Sequence, residues 1–412
     1  MLNHNLKNNF LLFAIVSLAI QTFLYPNNDN KDVKEGFWEG HNNNGINFSR
    51  ITLNAIRNLE QNNLSYKISI HFSENNFLPG ETFIRKNFQN NYSIKIGRFY
   101  KDFSKYISEE LSSGSMLISR NAQPMPKISI LKNAGINSRS LNEINLQFGI
   151  SHGLFDKNDL YTKSPMLHEK FIYLNIARNK NIFSLGFVHE AMWGGGINNS
   201  SFPSSVEDFF KVFISADAPK NIDEPHANAI GNHLGIWDFN FKRKLSNAEL
   251  SLYHQHLFED TSGLRFANRF DGLWGIEYSN LKNNSKLLLE YITTRNKNID
   301  PPYVNEAYYN HYQYLNGWRY KDYIIGNPYI EYYKDYPIDF IHLGIQKNIN
   351  ELSNLNLIFS RNTNSGDHLK YRVITSVESK KTKIKFLLSG EKTKINQIGF
   401  QILFDLNYLS DF

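Results

Sequence analysis

The sequence contains no cysteine, which excludes a disulfide framework and any thiolate metal site. No apolar run reaches the roughly eighteen residues that a membrane-spanning helix needs. HExxH, GxSxG and phosphate-cradling motifs are missing as well; Gly194-Gly195-Gly196 follows Trp193 without a P-loop lysine and reads as a turn. No Pro/Gly/Ser-rich linker divides the 412 residues, so one large domain is expected. Repeats longer than a strand period are not visible, which argues against a propeller or solenoid. Basic residues do not gather in a block: the formal charge of +6 is spread among apolar neighbours, and nucleic acid is not an expected partner. An acidic polysaccharide or lipopolysaccharide suits such a surface better.

What the chain does have is aromatic residues, 14% of the total with 23 Tyr and 31 Phe, and both types favour strands. A mean hydropathy of -0.45 is no argument against a membrane location, because a transmembrane barrel needs apolar side chains on only one face of each strand. At the N-terminus Lys7 precedes an apolar run from Phe10 to Leu24, broken by Ser17, Gln21 and Thr22, before polar Asn27 and Asn28. Residues 1–24 thus read as a signal peptide, with 25–412 as the barrel. No small-x-small cleavage site follows, which leaves an uncleaved anchor as the alternative.

From about residue 48 onward the pattern alternates with period two. Tyr66, Ile68, Ile70 and Phe72 interleave with Lys67, Ser69 and His71; Phe183, Leu185 and Phe187 interleave with Ser184 and Gly186. Each set makes a two-faced strand. A soluble β-sandwich alternates too, but the last run places Ile398, Phe400, Ile402, Phe404, Leu406, Tyr408 and Phe412 on one face. A final strand ending in an aromatic is the form read by the barrel assembly machinery. The fold class expected is therefore all-β: a transmembrane antiparallel β-barrel of about 18 strands with a short helical or irregular plug. Its last strand should close the ring against Phe48–Leu59, since an open edge in lipid leaves backbone groups unsatisfied.

Three blocks resemble the capsule-assembly Wzi family. The first is Glu110 to Lys127 (ELSSGSMLISRNAQPMPK). The second joins Phe148 to Gly153 (FGISHG), Leu167 to Leu174 (LHEKFIYL) and His189 to Gly195 (HEAMWGG). The third runs through Gly231 to Gly235, Leu257 to Phe266, Asp271 to Gly275, Gly317 to Arg319 and Ile325 to Tyr329. The resemblance implies an 18-stranded outer-membrane barrel that binds capsular or extracellular polysaccharide and assists capsule assembly, without catalysis or cofactor. Its expected partners are that polysaccharide, outer-membrane lipid with lipopolysaccharide, and the barrel assembly machinery. Known members carry a helical bundle near the N-terminus, for which the roughly 25 residues ahead of the first alternating strand are short. Lys101 to Leu111 is the expected substitute, a short helix inside or below the barrel. A porin-like diffusion channel is the competing reading.

His168-Glu169 and His189-Glu190 invite an acid-base reading, but alternation puts each histidine and its glutamate on opposite faces, and no catalytic residue is assigned. Arg120, Arg265 and Arg269 are expected inside the barrel, paired with carboxylates among Glu169, Glu190, Glu259, Asp260 and Asp271, because Arg and carboxylate satisfy each other bidentately in a filled lumen. Direct contact of these arginines with an acidic sugar is the alternative. Trp237 shares a face with Phe239 and Phe241 and should belong to an interfacial girdle, whereas Trp193, Trp274 and Trp318 lie beside glycines and are candidates for stacking on sugar. The Tyr-rich segment Asp300 to Tyr336 reads as a long external loop, where recognition commonly resides.

Overall fold

A computed structural model describes residues 17–24, 48–59, 63–73, 76–136, 143–157, 160–198, 200–217, 229–259, 261–297, 307–321, 323–330, 337–364, 368–379 and 381–405. Its strands in chain order are β1 (Ser17–Leu24), β2 (Phe48–Leu59), β3 (Leu64–Ser73), β4 (Asn76–Pro79), β5 (Thr82–Asn87), β6 (Tyr92–Phe99), β7 (Met125–Ile136), β8 (Glu143–Leu154), β9 (Met166–Arg178), β10 (Asn181–Trp193), β11 (Gly196–Ile197) and β12 (Ser200–Ser201). They continue as β13 (Asn232–Lys244), β14 (Ala248–Phe258), β15 (Gly272–Asn280), β16 (Ser285–Thr293), β17 (Arg319–Tyr320), β18 (Tyr323–Ile324), β19 (Asp339–Asn348), β20 (Ser353–Asn362), β21 (Lys370–Glu378), β22 (Thr382–Glu391) and β23 (Lys394–Asp405). The α-helices among the described residues are α1 (Val206–Phe213) and α2 (Thr261–Leu264).

Nineteen of these strands form one antiparallel sheet. Neighbours in sequence pair, and the last strand returns to the first, so the sheet is a closed barrel. β4 and β5 lie end to end along one side of β3, which leaves eighteen positions around the ring. Between them sits Gly80, where a Cβ would fall 2.7 Å from His71 Nε2 and from Ser69 Oγ, so the close approach requires glycine.

The ring closes differently from the sequence expectation. β23 does not meet β2: β1 lies between them, pairing Leu24 with Ile398 and Phe23 with Phe48. The second half of the signal-like run thus forms a wall strand, and a leader ending at Leu24 would remove it. Sequencing the N-terminus of the mature protein separates the two cases. A start at or before Ser17 is what the eighteen-position ring requires; a start at Tyr25 or later would force β23 directly onto β2. The aromatic C-terminus at Phe412 lies outside the described residues.

Both chain ends lead to one rim, where the connections are short turns such as 179–180, 245–247, 281–284 and 349–352; the opposite rim carries 100–124, 155–165, 194–231, 259–271 and 294–338. This asymmetry is the usual one for outer-membrane barrels, with long connections outside the cell. Along each strand alternate residues face out and in. Phe183, Leu185, Ile172 and Ile276 are exposed on the outer face, while Val188, Glu190, Asp238 and Glu290 are buried on the inner one.

Two of the long connections fold back into the lumen. Residues 100–124 and 307–330 contribute Phe103, Leu111, Met116, Leu117, Tyr309, Tyr314, Trp318 and Tyr320 to a buried core against the inner faces of the wall. This is an irregular plug. Lys101 to Leu111 forms turns and no helix; Ser104 has φ 47° and Gly114 φ 107°, backbone states that interrupt a right-handed helix. The Tyr-rich segment is likewise not wholly an external loop: most of its described aromatics turn inward, where they find apolar partners, while Tyr312 stays exposed at the rim.

Candidate functional site

Glu169 and Lys127 form the most deeply buried ion pair in the wall. Lys127 Nζ lies 3.1 Å from Glu169 Oε2, each side chain is 1% exposed, and Ser151 Oγ donates to Oε1 at 2.6 Å. Lys127 also donates to the carbonyl of Tyr100, tying the start of the plug to the wall. Glu190 stands directly across from Glu169 in the β9–β10 pairing, fully buried and with neither carboxyl oxygen hydrogen-bonded. His168 and His189 point to the outer face, as alternation requires. The two His-Glu pairs therefore do not converge on one site.

Two further carboxylates hold the plug. Asp238 accepts from Ser104 Oγ at 2.5 Å, from Tyr173 at 2.5 Å and from Tyr106. Burial pushes the Tyr106 hydroxyl well above its ordinary range, helped by the adjacent Asp238 charge, so it remains a donor. Glu290 accepts from Ser112 Oγ at 2.6 Å, from the Ser113 amide at 2.7 Å and from Tyr253. Sequence reasoning named neither acid, although alternation places both on lumen faces.

Of the three expected arginines only Arg120 lies inside the barrel. Arg120 pairs with Glu109, within the plug, and not with one of the five expected carboxylates; both side chains remain partly exposed beside a polar cavity of roughly 800 Å³. That cavity occupies the sector of β19–β23 with β2 and β3, toward the short-turn rim, where Gln346, Asn348, Arg372 and Lys385 face it. Arg265 and Arg269 lie exposed on the connection after α2, because that connection packs outside the wall. Asp260 falls outside the described residues. Glu259 and Asp271 instead anchor the second plug segment at the long-connection rim. Glu259 accepts from Lys297 and, at 2.7 Å, from the Tyr309 amide; Asp271 accepts from the Asn296 amide at 2.9 Å and from Tyr308 at 2.9 Å. Burial raises Asp271 to about 6 against the pull of those hydrogen bonds.

Of the three candidate tryptophans, Trp318 and Trp193 are buried and Trp274 keeps part of its ring exposed. Trp318 is fully buried and donates Nε1 to the Leu117 carbonyl at 2.8 Å. Trp193 faces outward beneath α1, with ring centroids 5.6 Å from both Phe209 and His152. Trp274 also faces outward, stacked on His254 at 3.6 Å with Nε1 donating to Phe270, beside Trp237, whose Nε1 donates to the Leu264 carbonyl at 3.1 Å. Trp237 and Trp274 both face the outside of the barrel, as an interfacial girdle requires.

One ring platform does reach solvent at the long-connection rim. Tyr312 is 66% exposed and stacks on His311 at 4.5 Å with planes 29° apart. Burial lowers His311 to about 4, so its ring is neutral near pH 7, and its Nδ1 accepts from the amides of Gln313 and Tyr314. Tyr312 sits inside the Tyr-rich segment; alternation could not distinguish it from its buried neighbours because the segment has no regular period. Among the described residues no group of three or more His, Asp or Glu is placed to hold a metal ion.

The solved structure of Wzi of Escherichia coli, described as an outer membrane protein involved in group 1 capsule assembly and a carbohydrate-binding β-barrel, matches with a TM-score of 0.63 at 14% identity, over 97% of this chain and 86% of that one. A porin of Rh. blastica gives a TM-score of 0.42 at 8% identity, over 95% and 98%, too distant to bear on function. No curated protein sequence matches the chain. The sequence model described as capsule assembly protein Wzi matches residues 111–401, from the plug through the last strand. The chain belongs to the capsule assembly protein Wzi family.

Proposed function

We propose that this barrel resides in the bacterial outer membrane and binds capsular or extracellular polysaccharide at the cell surface as part of capsule assembly. Family membership supports that role, and the observation that carries it structurally is the plug. Two chain segments pack a shared aromatic core against the inner wall and occupy much of the lumen, beside the remaining polar cavity. The protein is read as a binding protein and not an enzyme: the buried acids Asp238 and Glu290 hold the plug, and its His-Glu pairs are split between faces. Correct insertion would engage the barrel assembly machinery through the last strand.

The contact surface for sugar is the long-connection rim around Tyr312 and His311. Stacking of one ring contributes about 0.5–1.5 kcal/mol, so each site is weak. Retention comes from a repeating polymer meeting many copies on one cell. Tyr312→Ala should weaken binding of the cell's own polysaccharide to the purified barrel by about 2- to 10-fold, the range that energy implies, while heat stability stays unchanged. Equal binding by wild type and variant would remove Tyr312 from the contact surface.

A further inference from the structure

We infer that an acyl chain of lipopolysaccharide seats in an apolar groove on the outer face of the barrel, between α1 and the wall formed by β7–β9. The inference rests on the outer-membrane placement proposed above.

Helix α1 starts at a capping box in which Ser205 and Asp208 bond each other reciprocally. It lies outside the barrel: Phe209 packs on His152, His168 and Trp193, all outward-facing, and Lys170 donates to the Phe213 carbonyl near the helix end. Its inner residue Val212 joins Ala191, Trp193 and Ile230 in a cluster separate from the lumen core. The face turned away from the wall is apolar too. Val206, Phe210 and Ile214 are exposed by 76%, 62% and 71%, at the spacing of one helical stripe. A helix that is apolar on both its inner and its outer side belongs in lipid and not in water.

Beside it the wall and the helix enclose a groove of roughly 480 Å³, bounded by Ile128, Ile130, Ile150, Met166, Trp193 and Phe209. It is continuous with the exposed apolar belt through Ile128, Ile130 and Leu154, so a chain enters from the bilayer without crossing polar surface. The groove lies toward the long-connection rim, the outer-leaflet side, where a phosphorylated and multiply acylated glycolipid is the resident lipid. The connection directly above carries exposed Lys157 and Lys163, which suit its phosphates. Glu207 and Asp208 at the helix start are engaged by Lys211 and Ser205 respectively.

The test uses the full-length barrel purified from outer membranes and washed extensively in detergent, with native mass spectrometry counting retained lipopolysaccharide. Wild type should hold one molecule per barrel. Ile130→Trp, which fills the groove from the wall, should lower its occupancy at least about tenfold, and Ile96→Trp on the outer face of β6 should not. Photoreactive-acyl lipopolysaccharide offered to the wild type supplies a second readout that needs no variant. Its crosslinks should map to 128–130, 166 and 204–209. Equal retention by both tryptophan variants, crosslinks spread evenly around the belt, phospholipid held at the groove, or a second copy of the chain crosslinked there would each overturn the inference. A barrel that binds polysaccharide and retains no lipopolysaccharide would defeat it while leaving the proposed function standing.

Discussion

Replacing Lys127 by methionine is expected to destabilise the barrel by about 3–5 kcal/mol, the usual cost of stranding one member of a buried ion pair. Glu169 would keep its bond from Ser151 but lose its buried cation, with Glu190 directly across the strand pair. Loss of the bond from Lys127 to the Tyr100 carbonyl adds to the cost, since it releases the start of the plug. Denaturant unfolding in detergent micelles gives the measurement. The companion Lys127→Met/Glu169→Gln variant should recover more than half of the loss, because it removes the charge that was stranded. A loss below about 1 kcal/mol for the single variant, the range of an exposed pair, would mean that water reaches this pair and the lumen sector is open.

Trp318→Ala should have an effect of similar size with a different signature. Truncating a buried tryptophan costs about 3–5 kcal/mol, and here it also deprives the Leu117 carbonyl of its donor. Trp318 joins the two plug segments to each other and not to the hydrogen-bonded wall, so the barrel should still form. Residues 100–124 and 307–330 should become open to protease, and the variant should conduct in a planar bilayer where wild type is nearly silent. Wild-type conductance equal to that of the variant would show that the plug does not seal the barrel.

Period-two alternation made most of the wall legible before any coordinates. It set opposite faces for each glutamate and its neighbouring histidine, and chain length divided by strand length gives a strand number that brackets the ring of eighteen positions. It carries no information about which faces are later covered by chain returning from a connection. Trp193 is outward yet buried because α1 folds over it, and Tyr309, Tyr314 and Trp318 are buried because their connection turns inward. One signal of the covering helix is readable: Ser205 with Asp208, the ends of a capping box, just ahead of Phe209, Val212 and Phe213 at helical spacing.

The places of Arg265 and Arg269 and the partner of Glu169 differ from expectation for a related reason. Bidentate geometry favours arginine as the partner of a buried carboxylate, but the cation that reaches Glu169 is Lys127, from two strands away on the same inner face. The arginines at 265 and 269 sit on a connection, where strand phase says nothing. The plug's own anchors, Asp238 and Glu290, bond to residues more than a hundred positions away in sequence. No local pattern encodes such a pairing.

The central claim is that a sealed barrel of this family holds its own cell's polysaccharide at its outer rim. Binding of that polysaccharide to the immobilised, folded full-length protein tests it most directly. The account predicts saturable retention that strengthens with the density of immobilised barrel and weakens for Tyr312→Ala. A folded barrel that retains none of the surface polysaccharides of its cell at any density would contradict it.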